Sequence, residues 1–578
     1  MKTVLIALNS KYIHTALGIR SISVYCREKG FEVDFAEKTI QTPILKVLSD
    51  VMEEEPDVVG IDVHIWNKDY AFSLANLIRK VRPQTIVVLG GPEVSFSANE
   101  AFCECGAADY IVEGEGEEAF ASFLAGFTIT EDECVKHVAR RSKQASEGRN
   151  LKPAIVNDIS CLPFPYPDLD RVKEEQKIVY YECTRGCPFN CSYCLSGIGH
   201  IVRKKPLAKV FAELSLLIEA GIPLVKFVDR TYNLDEAYFL PIMEFLAERG
   251  KNSVFHFEIK ADLLSPAVLE FLKTVPKGRF QFEIGVQTTN QATCEAIGRH
   301  DDWRLLEKNV HALLSFGNIN LHLDLIAGLP YEELDSFKKS FNDVYSLNPH
   351  MLQLGFLKVL HGSRIYGQRD DYGIVHMDEP PYEVLYTKNM SYKEIFFLKK
   401  LEDLFDHTYN SGKFKHTLAC LVRLVGRGSA FLFYEHLTCW WHSRGLFARD
   451  HNQRNIYLYL KEYAAENLSA EFEEVVEALR FDIFLYNPGW RPESFEWHAD
   501  AFKALLLDFW RNDELVRKYV PEYNFATWRK IRKYYSIERF SRHPVTGVAY
   551  EFLALTNYAE DEPSYIELEK EDFYANKV

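Results

Sequence analysis

Short apolar runs alternate with helical patterns twice along this chain, and that alternation restricts its fold more than any other feature. In residues 1 to about 127 the runs are Thr3 to Leu8, Val33 to Ala36, Val58 to Val63, Ile86 to Leu89 and Tyr110 to Val112. Strands with helices between them predict a parallel sheet covered on both faces, an α/β domain that is doubly wound in the Rossmann or flavodoxin manner. From Lys177 the alternation resumes at Ile178 to Glu182, Leu224 to Val228, Val254 to Ile259, Gln281 to Val286, Asn320 to Ile326 and Met351 to Leu357. Six strand–helix units imply a partial (β/α)6 barrel with its site at the carboxyl ends of the strands. After about residue 378 the pattern is mostly α-helical, with aromatics such as Phe405, Phe431, Phe433, Tyr434 and Trp441 expected in its core. The expected division is therefore 1–127, a linker over 128–176, a barrel over 177–377 and a helical domain over 378–578. At 578 residues the chain is too long for one core.

The linker ends in Leu162-Pro-Phe-Pro-Tyr-Pro167, whose prolines enforce an extended, semi-rigid path. In the first domain, ligands bind beyond the carboxyl ends of the strands. The turns there are Asn9-Ser10-Lys11, His64 to Asn67, Gly90-Gly-Pro-Glu93 and Glu113-Gly-Glu-Gly-Glu117. Gly90, Gly91, Gly114 and Gly116 allow a backbone to approach a bulky ligand. The first turn lacks the G-x-G-x-x-G phosphate cradle, which disfavours a nicotinamide cofactor.

Four cysteines fall in twelve residues, Cys183-Thr-Arg-Gly-Cys187-Pro-Phe-Asn-Cys191-Ser-Tyr-Cys194. The last three stand in C-x3-C-x2-C spacing, too tight to build a hairpin round tetrahedral zinc and one ligand short of a closed site. Three thiolates holding a [4Fe-4S] cluster leave one iron open. The competing readings are ordinary buried thiols and a structural metal knuckle. Cys183 could serve as a fourth ligand, a redox partner or a core residue, and a place in the core or behind the ligands is favoured.

The spacing, with the aromatic Tyr193 just before the last cysteine, resembles the radical S-adenosylmethionine (SAM) superfamily. Several barrel strings resemble its anaerobic coproporphyrinogen oxidase branch: Glu258, Gly285-Val286-Gln287, Arg299 and Asp324-Leu-Ile-Ala-Gly-Leu-Pro330. That resemblance implies that Glu258, Gln287, Arg299 and Asp324 hold SAM, acceptors meeting the ribose hydroxyls and the guanidinium meeting the methionine carboxylate. On the second strand, where relatives often have Gly-Gly-Glu, this chain has Val228-Asp-Arg-Thr231, and Asp229 is the candidate acceptor for the methionine amine. The first domain resembles the cobalamin-binding domain of B12-dependent radical SAM enzymes, in which the same glycine turns recur. It lacks the D-x-H-x-x-G string that places a histidine on cobalt, so no protein histidine is expected there; His14 and His64 are the candidates against that view.

Twelve cysteines in a chain with no membrane span or signal-peptide core point to thiol or metal chemistry in a reducing, cytoplasmic setting. A net charge of −16 argues against non-specific duplex binding. The resemblance implies a radical enzyme using a [4Fe-4S] cluster, SAM and cobalamin, with methyl transfer to an unactivated carbon as the leading chemistry. Rearrangement, cyclisation or reduction, action on tRNA or a nucleotide, and a non-catalytic cobalamin or metal sensor are the alternatives. The basic and aromatic run Trp528 to Tyr535, with Arg539 and Arg542, is what an RNA substrate would use; otherwise the substrate is a small molecule. A flavodoxin or ferredoxin is the expected electron donor.

Overall fold

The computed structural model describes residues 1–126, 137–141, 153–197, 201–449, 452–499, 501–521, 534–544, 546–558 and 563–574. It resolves into two compact units, one of Met1–Ser340, Leu347–Pro349 and Leu354–Ile395, the other of Phe341–Ser346, His350–Gln353 and Phe396–Val578.

The first unit opens on a six-stranded sheet of Thr3–Asn9, Val33–Thr39, Val58–Asp62, Ile86–Gly90, Tyr110–Val112 and Val138–Arg140. The order is second, first, third, fourth, fifth, sixth, and every pairing but the last is parallel. Val4, Ile6 and Leu8 face one apolar core, while Leu5 and Ala7 face the other, which is why the first strand reads as unbroken apolar sequence. The order in which strands are added reverses between the first and third strands, so a crevice opens beyond their carboxyl ends.

The sheet continues into the segment read as a linker. Val138–Arg140 adds an antiparallel edge strand, Ala154 bridges Gly114, and Val156, Ile159 and Leu162 join the core. Tyr166 is buried, donating its hydroxyl to the Tyr180 carbonyl at 2.6 Å and accepting from the Tyr180 N–H at 3.0 Å. The described part of this segment is thus packed structure; its remainder lies outside the described residues.

The second sheet is parallel and sequential: Val179–Tyr181, Leu224–Phe227, Val254–Ile259, Phe280–Gln287, Asn320–Ala327 and Met351–Phe356. On the fourth strand Phe280, Phe282, Ile284 and Val286 are buried, while Gln281, Glu283, Gly285 and Gln287 turn to the concave side. Phe227, Phe257, Phe280 and Phe282 stack edge and face behind the sheet. This places the polar residues in the lumen. The first unit continues past the expected boundary at 377, through a hairpin of Val375–His376 and Val384–Tyr386, to Ile395.

The second unit is mostly helical, and Phe405, Phe431, Phe433, Tyr434 and Trp441 are buried in it as expected. It also contains an unexpected antiparallel sheet of Tyr535–Arg542, Ala549–Asn557 and Ser564–Leu568. Arg542 donates to the Gly547 carbonyl at 3.2 Å, and Arg539 lies over the Phe502 ring; Trp528 to Lys533 fall outside the described residues. Among the described residues no helix is long and apolar enough to cross a membrane.

Candidate functional site

The cysteine loop leaves the first strand of the second sheet and is held mainly by backbone. Ser192 donates its N–H to the Ile297 carbonyl and accepts the N–H of Ile365, both at 2.8 Å. Arg364 donates to the Asn190 carbonyl at 3.1 Å. Gly298, at φ +68°, leaves room for that same carbonyl, which would stand 2.6 Å from a Cβ. On this loop Cys187 is buried, Cys191 and Cys194 are half-buried, and all three are free thiols. Among the described residues no three His, Cys, Asp or Glu side chains group round a point that would hold a single metal ion. A cluster asks something different, one thiolate to each of three irons, and three soft donors on an anchored loop suit it.

The Cys183 thiol is engaged by Asp229. The residue is fully buried, its thiol donates to Asp229 Oδ1 at 2.9 Å and its N–H to the same carboxylate at 3.2 Å, while the Thr184 N–H also donates there. Burial and the neighbouring carboxylate push the Cys183 thiol well above its ordinary pKa. Asp229, the candidate acceptor for the methionine amine, already has partners within the fold. Its oxygens are occupied by the base of the cysteine loop, it is wholly buried, and desolvation raises its pKa to about 6.

Of the other four predicted residues, Glu258, Gln287 and Asp324 lie on adjoining strands, and Arg299 follows the helix Gln291–Ala296. Strand register sets Glu258 opposite Glu283, and Gly285 opposite Asp324. Glu258 receives Arg230 Nη1 at 2.6 Å. Gln287 stands at φ +70° with a buried Oε1 that has no partner among the described residues. Asp324 Oδ1 is likewise buried and unpartnered; desolvation, then the charges of Glu283 and Glu258, lift its pKa to about 8. Two orphaned buried acceptors on one wall fit a ligand rich in hydroxyl and amine donors. Arg299 is engaged on three sides, donating to Asp301 and the Gly285 carbonyl and reaching Tyr193 Oη at 3.5 Å. It braces the cysteine loop against the fourth strand, and only the long Tyr193 contact is loose enough to exchange for a carboxylate.

At the carboxyl ends of the first sheet lies a cavity of about 780 Å³. Gly90, Gly91, Gly114 and Gly116 line it together with Asn9, His14, His64 and Trp66, and Tyr180, Glu182, Arg185, Lys205 and Arg230 close it from the barrel side. The four glycines are not equivalent. Gly91 (φ +110°) would put a Cβ 2.6 Å from the Val63 carbonyl, and Gly114 (φ +90°) would drive one into the Ala154 backbone, so both answer to the fold itself. A Cβ at Gly116 would strike Ile22, whereas at Gly90 the nearest atom is 3.8 Å away. Neither histidine is uncommitted: His14 Nδ1 is 2.8 Å from Tyr180 Oη, and His64 stacks on Trp66 with centroids 4.2 Å apart. An apolar floor and polar rim across two domains fit a broad cofactor.

Sequence reasoning missed what holds the two sheets together. Arg185 is paired with Glu117 at 2.9 Å and Glu182 at 2.8 Å, and Arg203 with Glu115 at 2.7 Å. The acidic residues of the Gly-Glu-Gly-Glu turn therefore face arginines of the barrel, and the only signal available was their placement in a glycine turn.

Residues 3–124 match the family model described as B12 binding domain, and residues 181–344 match that of the Radical SAM superfamily. The chain carries a B12-binding domain followed by a radical SAM domain. Residues 370–552 match a third model, described as Protein of unknown function (DUF4080). An uncharacterized methyltransferase of Pyrococcus horikoshii is 24% identical over 323 residues, 54% of this chain and 69% of the relative. The cobalamin-dependent radical SAM methyltransferase TokK of Streptomyces tokunonensis is 25% identical over 350 residues, 56% of this chain but only 50% of TokK. The fold is shared with OxsB, a cobalamin-dependent SAM radical enzyme solved with aqua-cobalamin and SAM bound, at a TM-score of 0.58 and 16% identity, covering 88% of this chain and 75% of OxsB.

Proposed function

We propose that this B12-binding radical SAM protein transfers methyl groups to an unactivated carbon of its substrate. The observation that carries the reading is the cavity itself, which runs from the glycine turns of the B12-binding domain to the mouth of the barrel that carries the cysteine loop. Cys187, Cys191 and Cys194 hold the cluster, with Cys183 behind them as a hydrogen-bond donor to Asp229. Glu258 and Gln287 accept from SAM. Asp324, with a pKa near 8, is protonated at neutral pH before SAM arrives and becomes an acceptor once a cation lies against it. Arg299 keeps Tyr193 and the loop in place. Gly90 gives a flat cofactor room against the sheet. When bound to the three cysteines, a cluster reduced by a flavodoxin- or ferredoxin-type donor would supply the electron needed to split SAM, and cobalamin in the cavity would supply a methyl carrier. The protein contributes position and exclusion of water. The names of the Pyrococcus and Streptomyces relatives support methyl transfer.

The test is anaerobic reconstitution of the cluster, followed by mass analysis of SAM-derived products with and without cobalamin. Methyl transfer predicts both 5′-deoxyadenosine and S-adenosylhomocysteine, the latter only with cobalamin. Deoxyadenosine alone in both arms would refute it.

A further inference from the structure

The tripeptide Asp229-Arg230-Thr231, which follows the second strand of the barrel sheet, reaches three places at once. Asp229 is buried under the Cys183 and Thr184 N–H groups. Thr231, at φ +59°, puts its hydroxyl 3.8 Å from Cys187 Sγ. The next residue, Tyr232, donates its N–H to the Glu258 carbonyl at 2.9 Å. Arg230 is thus pinned on both sides. Its Nη1 donates to the Glu258 carboxylate at 2.6 Å, yet its side chain remains 49% exposed on the cavity wall. Its Nε and Nη2 form no hydrogen bond to any described residue. A guanidinium carries its N–H groups in one planar fork, so fixing Nη1 on Glu258 also orients the donors that are still free.

We propose that Arg230 is a positioning residue shared by the two cofactor sites. One nitrogen holds Glu258 ready for the ribose of SAM, and the others donate to carboxamide carbonyls on the periphery of a corrin in the cavity. This inference rests on the cofactor assignment proposed above and adds that the two sites are coupled. A residue oriented by either ligand lowers the ordering cost of the other, and the coupling is reciprocal by necessity. An arginine that only neutralised Glu258 would make SAM affinity independent of cobalamin.

The experiment uses the full chain, reconstituted anaerobically with the cluster left oxidised so that nothing turns over. SAM binding is measured by equilibrium dialysis with and without hydroxocobalamin, and hydroxocobalamin binding by absorbance with and without SAM. The unsubstituted chain is expected to bind each about fivefold or more tightly in the presence of the other. Arg230→Gln and Arg230→Lys should both lose that factor, since neither side chain carries the planar fork that faces both sites. Equal SAM affinity with and without cobalamin in the unsubstituted chain, or an undiminished factor in either variant, overturns the inference. Failure of the unsubstituted chain to bind SAM or cobalamin at all overturns the cofactor assignment and this inference with it, whereas binding of both without coupling removes only this one.

Discussion

Replacing Asp324 by asparagine separates a ligand site from a structural one, because only a strained, unpartnered carboxyl makes the effect of the substitution depend on pH. Burial and two neighbouring carboxylates raise the folded pKa to about 8, against about 3.9 in an unfolded chain. The folded state therefore keeps a proton that the unfolded state gives up, and stability falls as pH rises across that window. The slope is about 1.4 kcal/mol per pH unit, so from about pH 5.5 to the folded pKa the loss is about 3 kcal/mol. Water reaching the lumen screens part of this, leaving about 1 to 2 kcal/mol. The Asp324→Asn variant does not titrate and escapes the loss. Without SAM it should melt above the unsubstituted protein at about pH 8.5, by a few degrees, with the gap shrinking or reversing at about pH 5.5. Its SAM affinity should fall, tenfold for each 1.4 kcal/mol removed. Thermal melts at the two pH values, paired with equilibrium dialysis of SAM, make the test. A variant destabilised equally at both pH values with unchanged SAM affinity would refute the reasoning.

Cys183→Ala should keep the full iron content after reconstitution, since that thiol is turned to Asp229, whereas alanine at Cys187, Cys191 or Cys194 should abolish the charge-transfer absorption of the cluster. With His14 engaged by Tyr180 and His64 stacked on Trp66, electron paramagnetic resonance of the cob(II)alamin form should show no nitrogen superhyperfine splitting; splitting that vanished in His14→Ala or His64→Ala would count against this. Gly114→Ala should cost about 2 kcal/mol or more, because the left-handed backbone and the adjacent Ala154 leave no space for a Cβ. Gly90→Ala should leave the melting temperature nearly unchanged and weaken cobalamin binding, and the reverse pattern in this pair would show that the cavity wall has been misassigned.

How much was legible beforehand depended on the range of the interactions involved. The α/β alternation was visible because both sheets bury their strands on period-2 positions or on two faces, and burial of that kind is written into local apolar runs such as Thr3–Asn9 and Phe280–Gln287. The three cysteines were visible because one short loop supplies them all. The terminal antiparallel sheet was not. Its strand Tyr535–Arg542 buries Ile537 and Phe540 among charged neighbours, and its hairpin partners make sense only once paired.

By itself the sequence determined the elements, the thiol triad and the positions of residues at strand ends, all of which depend on neighbours within a few positions. Tertiary structure alone decided what those end residues touch. Asp229 and Cys183 are 46 positions apart, Arg230 and Glu258 are 28, and Arg203 and Glu115 are 88. No local periodicity relates such pairs. A carboxylate at a strand end is free to meet a ligand or to be consumed by a passing N–H, and which of these happens is set by where another loop returns. That return buried Asp229 under the cysteine loop, left Asp324 without a partner, and turned Arg230 toward the cavity.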